Sequence, residues 1–138
     1  MAKSVRDAMT TNPKTLASSA NVVEAAKLMK SEDVGVIPIV DGDRLTAVVT
    51  DRDIVLQVVA AGKDPQSTTV GEIASSNLVT VDPDQDLDEA ARLMARHQVR
   101  RLPVVEEDGR LVGILAQADV AEHAGEARTG EVVEQISR

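Results

Sequence analysis

Apolar residues in this chain follow two spacings in turn, one helical and one of strands, and the whole succession occurs twice. Val22, Ala25, Ala26, Leu28 and Met29 recur three and four apart, as do Leu87, Ala90, Ala91, Leu93 and Met94, so each run predicts an amphipathic helix with its methionine in the core. Asn21 ahead of Glu24, and Asp86 ahead of Glu89, mark the N-terminal caps of those helices. Two short aliphatic runs follow each helix: Val36 to Val40 and Leu45 to Thr50 in the first case, Arg101 to Val105 and Leu111 to Ala116 in the second. Asp41-Gly42 and Asp108-Gly109 supply the positive-φ residues of a tight turn, so each pair of runs predicts a hairpin.

The remaining elements are short and also come in pairs. Capped helices are expected from Ser4 to Met9 and from Thr69 to Ala74, with extended segments over Lys14 to Leu16 and Val79 to Val81. Closing helices run from Asp51 to Ala61, stopped by Gly62, and from Gln117 to Ala124, stopped by Gly125.

The doubling is a true repeat. At an offset of 65 (Met94 minus Met29) Asn12 meets Asn77, Thr15 meets Thr80, Glu24-Ala25-Ala26 meets Glu89-Ala90-Ala91, and Pro38 meets Pro103. After the first hairpin turn the offset is 66, so that Leu45 meets Leu111 and Asp53 meets Asp119. An α+β fold of two repeats is expected, over residues 4–62 and 69–125, with a linker containing Asp64-Pro65 and a polar tail over 126–138 that has no repeat partner and reads as a frayed helix or as disorder. A repeat of about 60 residues has little core of its own, so the two are expected to pack with pseudo-twofold symmetry around a shared cleft.

Candidate chemistry concentrates in Leu45-Thr46-Ala47-Val48-Val49-Thr50-Asp51-Arg52-Asp53, a strand running into the first turn of a helix, and in its echo from Leu111 to Asp119. Such junctions expose backbone N–H groups and the positive end of a helix dipole, which favours anions such as phosphate. Thr50 adds a hydroxyl and Asp53 a carboxylate three residues on, whereas the echo keeps Asp119 but has Ala116 in place of the hydroxyl. The first junction is therefore expected to be the better site. Pro38 and Pro103 sit inside apolar strands, where a residue without an N–H interrupts pairing and leaves room for something to dock.

Composition narrows the classes. The 138 residues include no Phe, Tyr or Trp, so a ring-shaped ligand must lie between aliphatic side chains, and the stacking platforms of single-stranded nucleic-acid binders are missing. The net charge of −8 also opposes nucleic acid. There is no cysteine, no Gly-rich Walker loop, no His-x-x-x-His pair and no nucleophile elbow, and no catalytic residue is assigned. No apolar run approaches the ~20 residues of a membrane span, and Met-Ala-Lys-Ser lacks the apolar core of a signal peptide, which leaves a cytoplasmic protein with no membrane partner as the expectation.

The order of elements, with a strand ending in an apolar-x-Thr-x-x-Asp step, resembles the CBS motif, and the pair resembles a Bateman module over residues 4–125. Thr50-Asp51-Arg52-Asp53-Ile54-Val55, His97-Gln98-Val99-Arg100-Arg101-Leu102-Pro103-Val104 and Arg110-Leu111-Val112-Gly113-Ile114 further resemble stand-alone two-repeat proteins of the hypoxic response protein type. The resemblance implies a non-catalytic sensor that binds AMP, ADP, ATP or S-adenosylmethionine in clefts between the repeats and signals to an unknown protein partner in trans. It also implies pairing into a homodimer, with no cofactor required. Carried over by position, Asp53 would hold the ribose hydroxyls, Thr50 would contact ribose or phosphate, Val36 and Pro38 would line the adenine slot, and Thr15 would form its floor. Arg52 and Arg101 are candidates to neutralise phosphate, and Pro103 and Asp119 complete the second set.

Each assignment has a plainer counterpart. Thr50-x-x-Asp53 is also a capping box, and Arg101 is also a surface arginine able to pair with Glu106 or Glu107. His97 and His123, the two histidines, suit helix ends better than a zinc site, which needs four ligands, and no metal is assigned. The alternative function is a ligand-independent dimeric scaffold whose nucleotide sites have decayed.

Overall fold

The structure, a computed structural model, describes residues 3–123. It contains helices α1 (Val5–Ala8), α2 (Val22–Glu32), α3 (Asp51–Ile54), α4 (Val70–Ile73), α5 (Leu87–His97) and α6 (Gln117–His123), and strands β1 (Thr10–Thr11), β2 (Val36–Asp41), β3 (Arg44–Thr50), β4 (Arg101–Val105) and β5 (Leu111–Ala116). Both amphipathic helices and both hairpins form where the apolar pattern places them. The tail over 126–138 and the stop at Gly125 lie outside the described residues. None of the described helices is long and apolar enough to cross a membrane.

The described residues form two compact units that cut across the repeat: residues 14–78 make one, and residues 3–13 join 79–123 in the other. In the first, β2 and β3 pair antiparallel, and Ile37, Ile39 and Val49 pack with Val22, Ala25 and Met29 of α2 and with Val70 and Ile73 of α4. The opening helix of the second repeat thus completes the core under the first hairpin. In the other unit the sheet order is β1-β5-β4, and Val5 and Ala8 of α1 are buried with Leu87, Met94, Leu102 and Leu115. Met94 is fully enclosed and Met29 nearly so, as core positions require.

A four-residue helix cannot hold itself together in water, so α1 and α4 exist because of what they pack against. Gly113 explains why β1 can lie directly on β5. A Cβ there would come within 2.8 Å of both Met9 Sδ and the Thr10 carbonyl oxygen. Ala47, the repeat counterpart of Gly113, carries a Cβ, and the corresponding contact in the other unit is a single bridge between Val48 and Ser75.

The prolines do not interrupt the hairpins, contrary to expectation. Pro38 stays in register opposite Val48, and Pro103 opposite Ile114. Their backbones face the outer edge of each pair, where Leu16 N–H donates to the Pro38 carbonyl and Val40 N–H to the Leu16 carbonyl, with Val81 doing the same for Pro103 and Val105. The missing N–H therefore falls beyond Leu16 or Val81, where it ends the parallel pairing at one residue. The register shifts past each proline, between Ile39 and Val40 and between Val104 and Val105, and the extra residue of the bulge is on the partner strand, Thr46 in β3 and Val112 in β5.

The first closing helix also departs from expectation. After Ile54 it widens into a π-helical stretch, Val55–Val59, in which Ala60 N–H reaches the Val55 carbonyl at 2.8 Å. Val58 is buried, while Val55, Leu56 and Val59 are exposed.

Three exposed carboxylates accept backbone N–H bonds, Asp7 and Glu72 capping their own helices and Asp41 reaching a distant loop. Asp7 accepts from Ser4 N–H, Glu72 from Thr69 N–H, and Asp41 from Ser18 N–H and both the Ser18 and Thr46 hydroxyls. These bonds, the backbone one first in each case, hold all three below their ordinary values of 3.8 for Asp and 4.5 for Glu. A carboxyl with a lowered folded-state pKa contributes stability that is full above its unfolded value and is lost as the pH falls through the folded one. Thermal melts are therefore expected to hold level from neutrality down to the ordinary carboxylate values and to drop below them. Melts that stayed flat well below pH 3.8 would reject the assignment.

Candidate strand-to-helix nucleotide sites

Strand alternation divides each hairpin into a core face and an outer face. Ile37, Ile39 and Val49 take the core face of β2–β3, so Val36, Pro38 and Thr50 share the opposite one, with Val36 directly opposite Thr50 and Pro38 itself buried. In β4–β5 the same geometry places Arg101 opposite Ala116 and Pro103 on the same face, away from Leu102, Val104 and Leu115. Thr15 is exposed and adjoins Leu16, which bridges to Ile39. Val36, Thr50 and Asp53 therefore lie together at the open end of the first hairpin, with Pro38 two residues into the strand, Thr15 on the segment along its outer edge, and Arg52 exposed in the helix turn that follows Thr50. At the equivalent end of the second, Arg101 faces Ala116, whose N–H Asp119 caps, and Pro103 is two residues into the strand.

The N–H groups at the first step are not free. Asp51 N–H donates to the Gly35 carbonyl at 2.9 Å, Arg52 N–H to Asp51 Oδ1 at 2.8 Å, and Asp53 N–H to Thr50 Oγ1 at 3.0 Å. The expected cradle of backbone donors for a phosphate is therefore already occupied by the protein. The reason is long-range: the strand before the helix is paired, and the residue leading into its partner strand brings its own carbonyl to the helix start. Gln117 N–H meets the Arg100 carbonyl at 2.8 Å in the same way.

Asp53 closes a capping box, its Oδ2 accepting from Thr50 N–H at 2.9 Å. Asp119 Oδ2 accepts from Ala116 N–H at 3.0 Å, so this acid caps its helix without needing a hydroxyl partner. The absence of a hydroxyl at Ala116 therefore does not separate capping from ligand contact. Asp53 Oδ1 and the Thr50 hydroxyl proton are not used by the cap. Both residues are half-buried, so these groups face a partly desolvated surface beside the aliphatic Val36 and Pro38.

Arg101 forms neither of the surface pairs considered for it, because it lies opposite Ala116 at the open end of the hairpin, whereas Glu106 and Glu107 follow β4 at the turn, where Glu106 pairs with Arg110 at 2.9 Å. A separate groove of about 480 Å³ is lined by Asp82, Asp84, Glu106, Glu107 and Asp108 around Arg6, which itself pairs with Asp84. Its acids repel anions, and none of the expected ligand residues lines it. Among the described residues no three His, Cys, Asp or Glu side chains converge as a metal-binding group.

Known proteins share this arrangement over nearly the whole chain. The CBS domain family model matches residues 5–60 and 70–126. A CBS domain-containing protein, YhcV, of Bacillus subtilis is 46% identical over 132 residues, 91% of this chain and 93% of that one. Hypoxic response protein 1 of Mycobacterium tuberculosis is 40% identical, covering 95% and 92%. Among solved structures, hypoxic response protein I with two coordinated zinc ions superposes with a TM-score of 0.78 at 41% identity, over 88% of this chain and 98% of that one. The CBS pair of MJ0100 with 5′-methylthioadenosine and S-adenosyl-L-methionine gives 0.77 at 29%, over 92% and 99%, and CBSX2 with AMP gives 0.76 at 30%, over 98% of each. Two hairpins with a proline held in register in one strand, each closed by an acid-capped helix and matched twice by the family pattern, make this chain a tandem CBS-domain protein.

Proposed function

We propose that the chain is a non-catalytic regulatory module of the cytoplasm that binds an adenosyl nucleotide at its strand-to-helix steps and passes the occupancy to a protein partner in trans. AMP, ADP, ATP and S-adenosylmethionine are the candidate ligands. One observation carries the reading: after the cap is made, Asp53 keeps one carboxylate oxygen and Thr50 keeps its hydroxyl proton, an acceptor and a donor side by side next to Val36 and Pro38. A ribose offers two hydroxyl donors to such an oxygen, and Thr50 is left to donate to a ribose or phosphate oxygen. With no aromatic residue in the chain, the base rests on Val36 and Pro38, with Thr15 at its end. Arg52 and Arg101 are exposed guanidinium groups for phosphate, while Pro103 and Asp119 form the poorer second set. The AMP and S-adenosylmethionine complexes of the related structures support the ligand class.

The chain also pairs with a second copy in this reading. Val55, Leu56 and Val59 are 54%, 46% and 70% exposed on the π-helical stretch, and apolar surface of this kind is normally covered. The engagement of both acids in caps favours a second reading, a dimeric scaffold without ligand.

Isothermal titration with AMP, ATP and S-adenosylmethionine, with light scattering on the same samples, separates these readings. Saturable heat from at least one ligand and a dimer mass are expected. Heats equal to dilution for all three would leave the scaffold reading, and a monomer mass at high concentration would remove the pairing.

A further inference from the structure

Asp41-Gly42 and Asp108-Gly109 occupy the same place in the two hairpins, and both glycines have positive φ, +70° and +89°. The chemistry open to an aspartyl-glycyl pair is cyclisation. The glycine nitrogen attacks the side-chain Cγ of the neutral acid, one carboxyl oxygen leaves as water, and a succinimide forms. Water then adds back at either carbonyl, and addition at the backbone carbonyl routes the main chain through Cβ and Cγ as isoaspartate. The net change is an isomerisation, with one water lost and one regained and no oxidant or co-reactant. Glycine allows it because no side chain shields the nitrogen.

The two carboxyls are held in opposite ways. At Asp41, Oδ1 accepts from Ser18 N–H at 3.0 Å and from the Ser18 hydroxyl at 2.9 Å, and Oδ2 accepts from the Thr46 hydroxyl at 3.1 Å. The group is thereby drawn away from Gly42, toward another loop and across the hairpin. At Asp108, Oδ1 accepts from Arg110 N–H at 3.1 Å, which folds the side chain forward over the Gly109 peptide. Asp108 is exposed at the hairpin tip, and the bond restraining the attacking nitrogen is Gly109 N–H to the Glu106 carbonyl at 2.9 Å. Opening a single turn bond at a tip costs far less than global unfolding.

We propose that Asp108-Gly109 is a site of spontaneous isoaspartate formation in the folded protein, and that Asp41-Gly42 is protected by its bonds to Ser18 and Thr46. Those bonds also keep Asp41 ionised to lower pH, which depletes the neutral acid that reacts. The product at 108 lengthens the hairpin backbone by one carbon next to the Arg110–Glu106 ion pair, with no change in mass.

The full chain incubated at neutral pH and physiological temperature, then cut with trypsin, yields Leu102–Arg110 and Ser31–Arg44 as separate peptides. Chromatography with electron-transfer fragmentation separates isoaspartate from aspartate in each. Several-fold faster accumulation at 108 than at 41 is expected in the native protein. The rates should converge in concentrated urea, and Asp108→Glu, whose larger ring closes slowly, should show no isomer at 108. Equal native rates, faster reaction at 41, or a native difference that persists unchanged in urea would each overturn the proposal.

Discussion

A chain begun at Lys14 is expected to lose the native packing of residues 79–123 while residues 14–78 keep theirs. Val5 is fully buried among Leu87, Met94 and Leu115, and enclosing a valine contributes about 1.5–3 kcal/mol. Three backbone bonds go with it: Val5 N–H to Gln85, Arg6 N–H to Pro83, and Leu87 N–H to Lys3, at 2.8–2.9 Å. Each is worth roughly 0.5–1.5 kcal/mol, so the total loss is comparable to a large share of the ~5–15 kcal/mol that holds a typical domain. The edge of β5 at Gly113, now covered by β1, would open to water as well. Hydrogen exchange resolved by peptide should show protection collapsing across α5, β4, β5 and α6 and persisting across α2, β2 and β3. Full-length Val5→Asp should reproduce the pattern. Uniform loss in both units, or no loss, would contradict the exchange of opening segments.

Asp53→Asn is expected to abolish the nucleotide-dependent rise in melting temperature while changing the ligand-free melt only slightly. A ligand at a hundredfold excess over its Kd stabilises the protein that binds it by ~2.7 kcal/mol. The asparagine oxygen can still accept from Thr50 N–H, so the cap survives, but the oxygen proposed for the ribose becomes an amide nitrogen that offers hydrogens to hydroxyls already seeking acceptors. Asp53→Ala is a poorer probe. It deletes the cap bond, worth roughly 0.5–1.5 kcal/mol, and lowers the melt with or without nucleotide. If Asp53→Asn kept the whole AMP-induced shift, the ribose role would have to be abandoned.

Much of this architecture was legible in the order of residues. The 3.6-residue spacing around Met29 and Met94, the Asp-Gly turns and the offset of 65 are local or periodic signals, and each specifies an element with little help from distant chain. The strand register then places Val36 opposite Thr50, so the grouping of the first candidate set follows from the hairpin once its turn is known.

Other features rest on contacts between segments far apart in sequence, where local pattern is silent. Whether Ser4 to Ala8 packs under its own repeat or the other depends on which edge strand admits it, and Gly113 in place of Ala47 is visible as a cause only when Met9 and Thr10 lie against it. Paired strands likewise bring the Gly35 and Arg100 carbonyls to the helix starts, which fills donors that would otherwise invite an anion. Glu106 takes Arg110 because a hairpin turn sets them together, while the strand register holds Arg101 at the opposite end of the hairpin. Side-chain type and spacing carry the elements and the chemistry on offer. Which groups remain unspent is a matter of three-dimensional competition for hydrogen-bond partners, and that competition is between residues that sequence order holds apart.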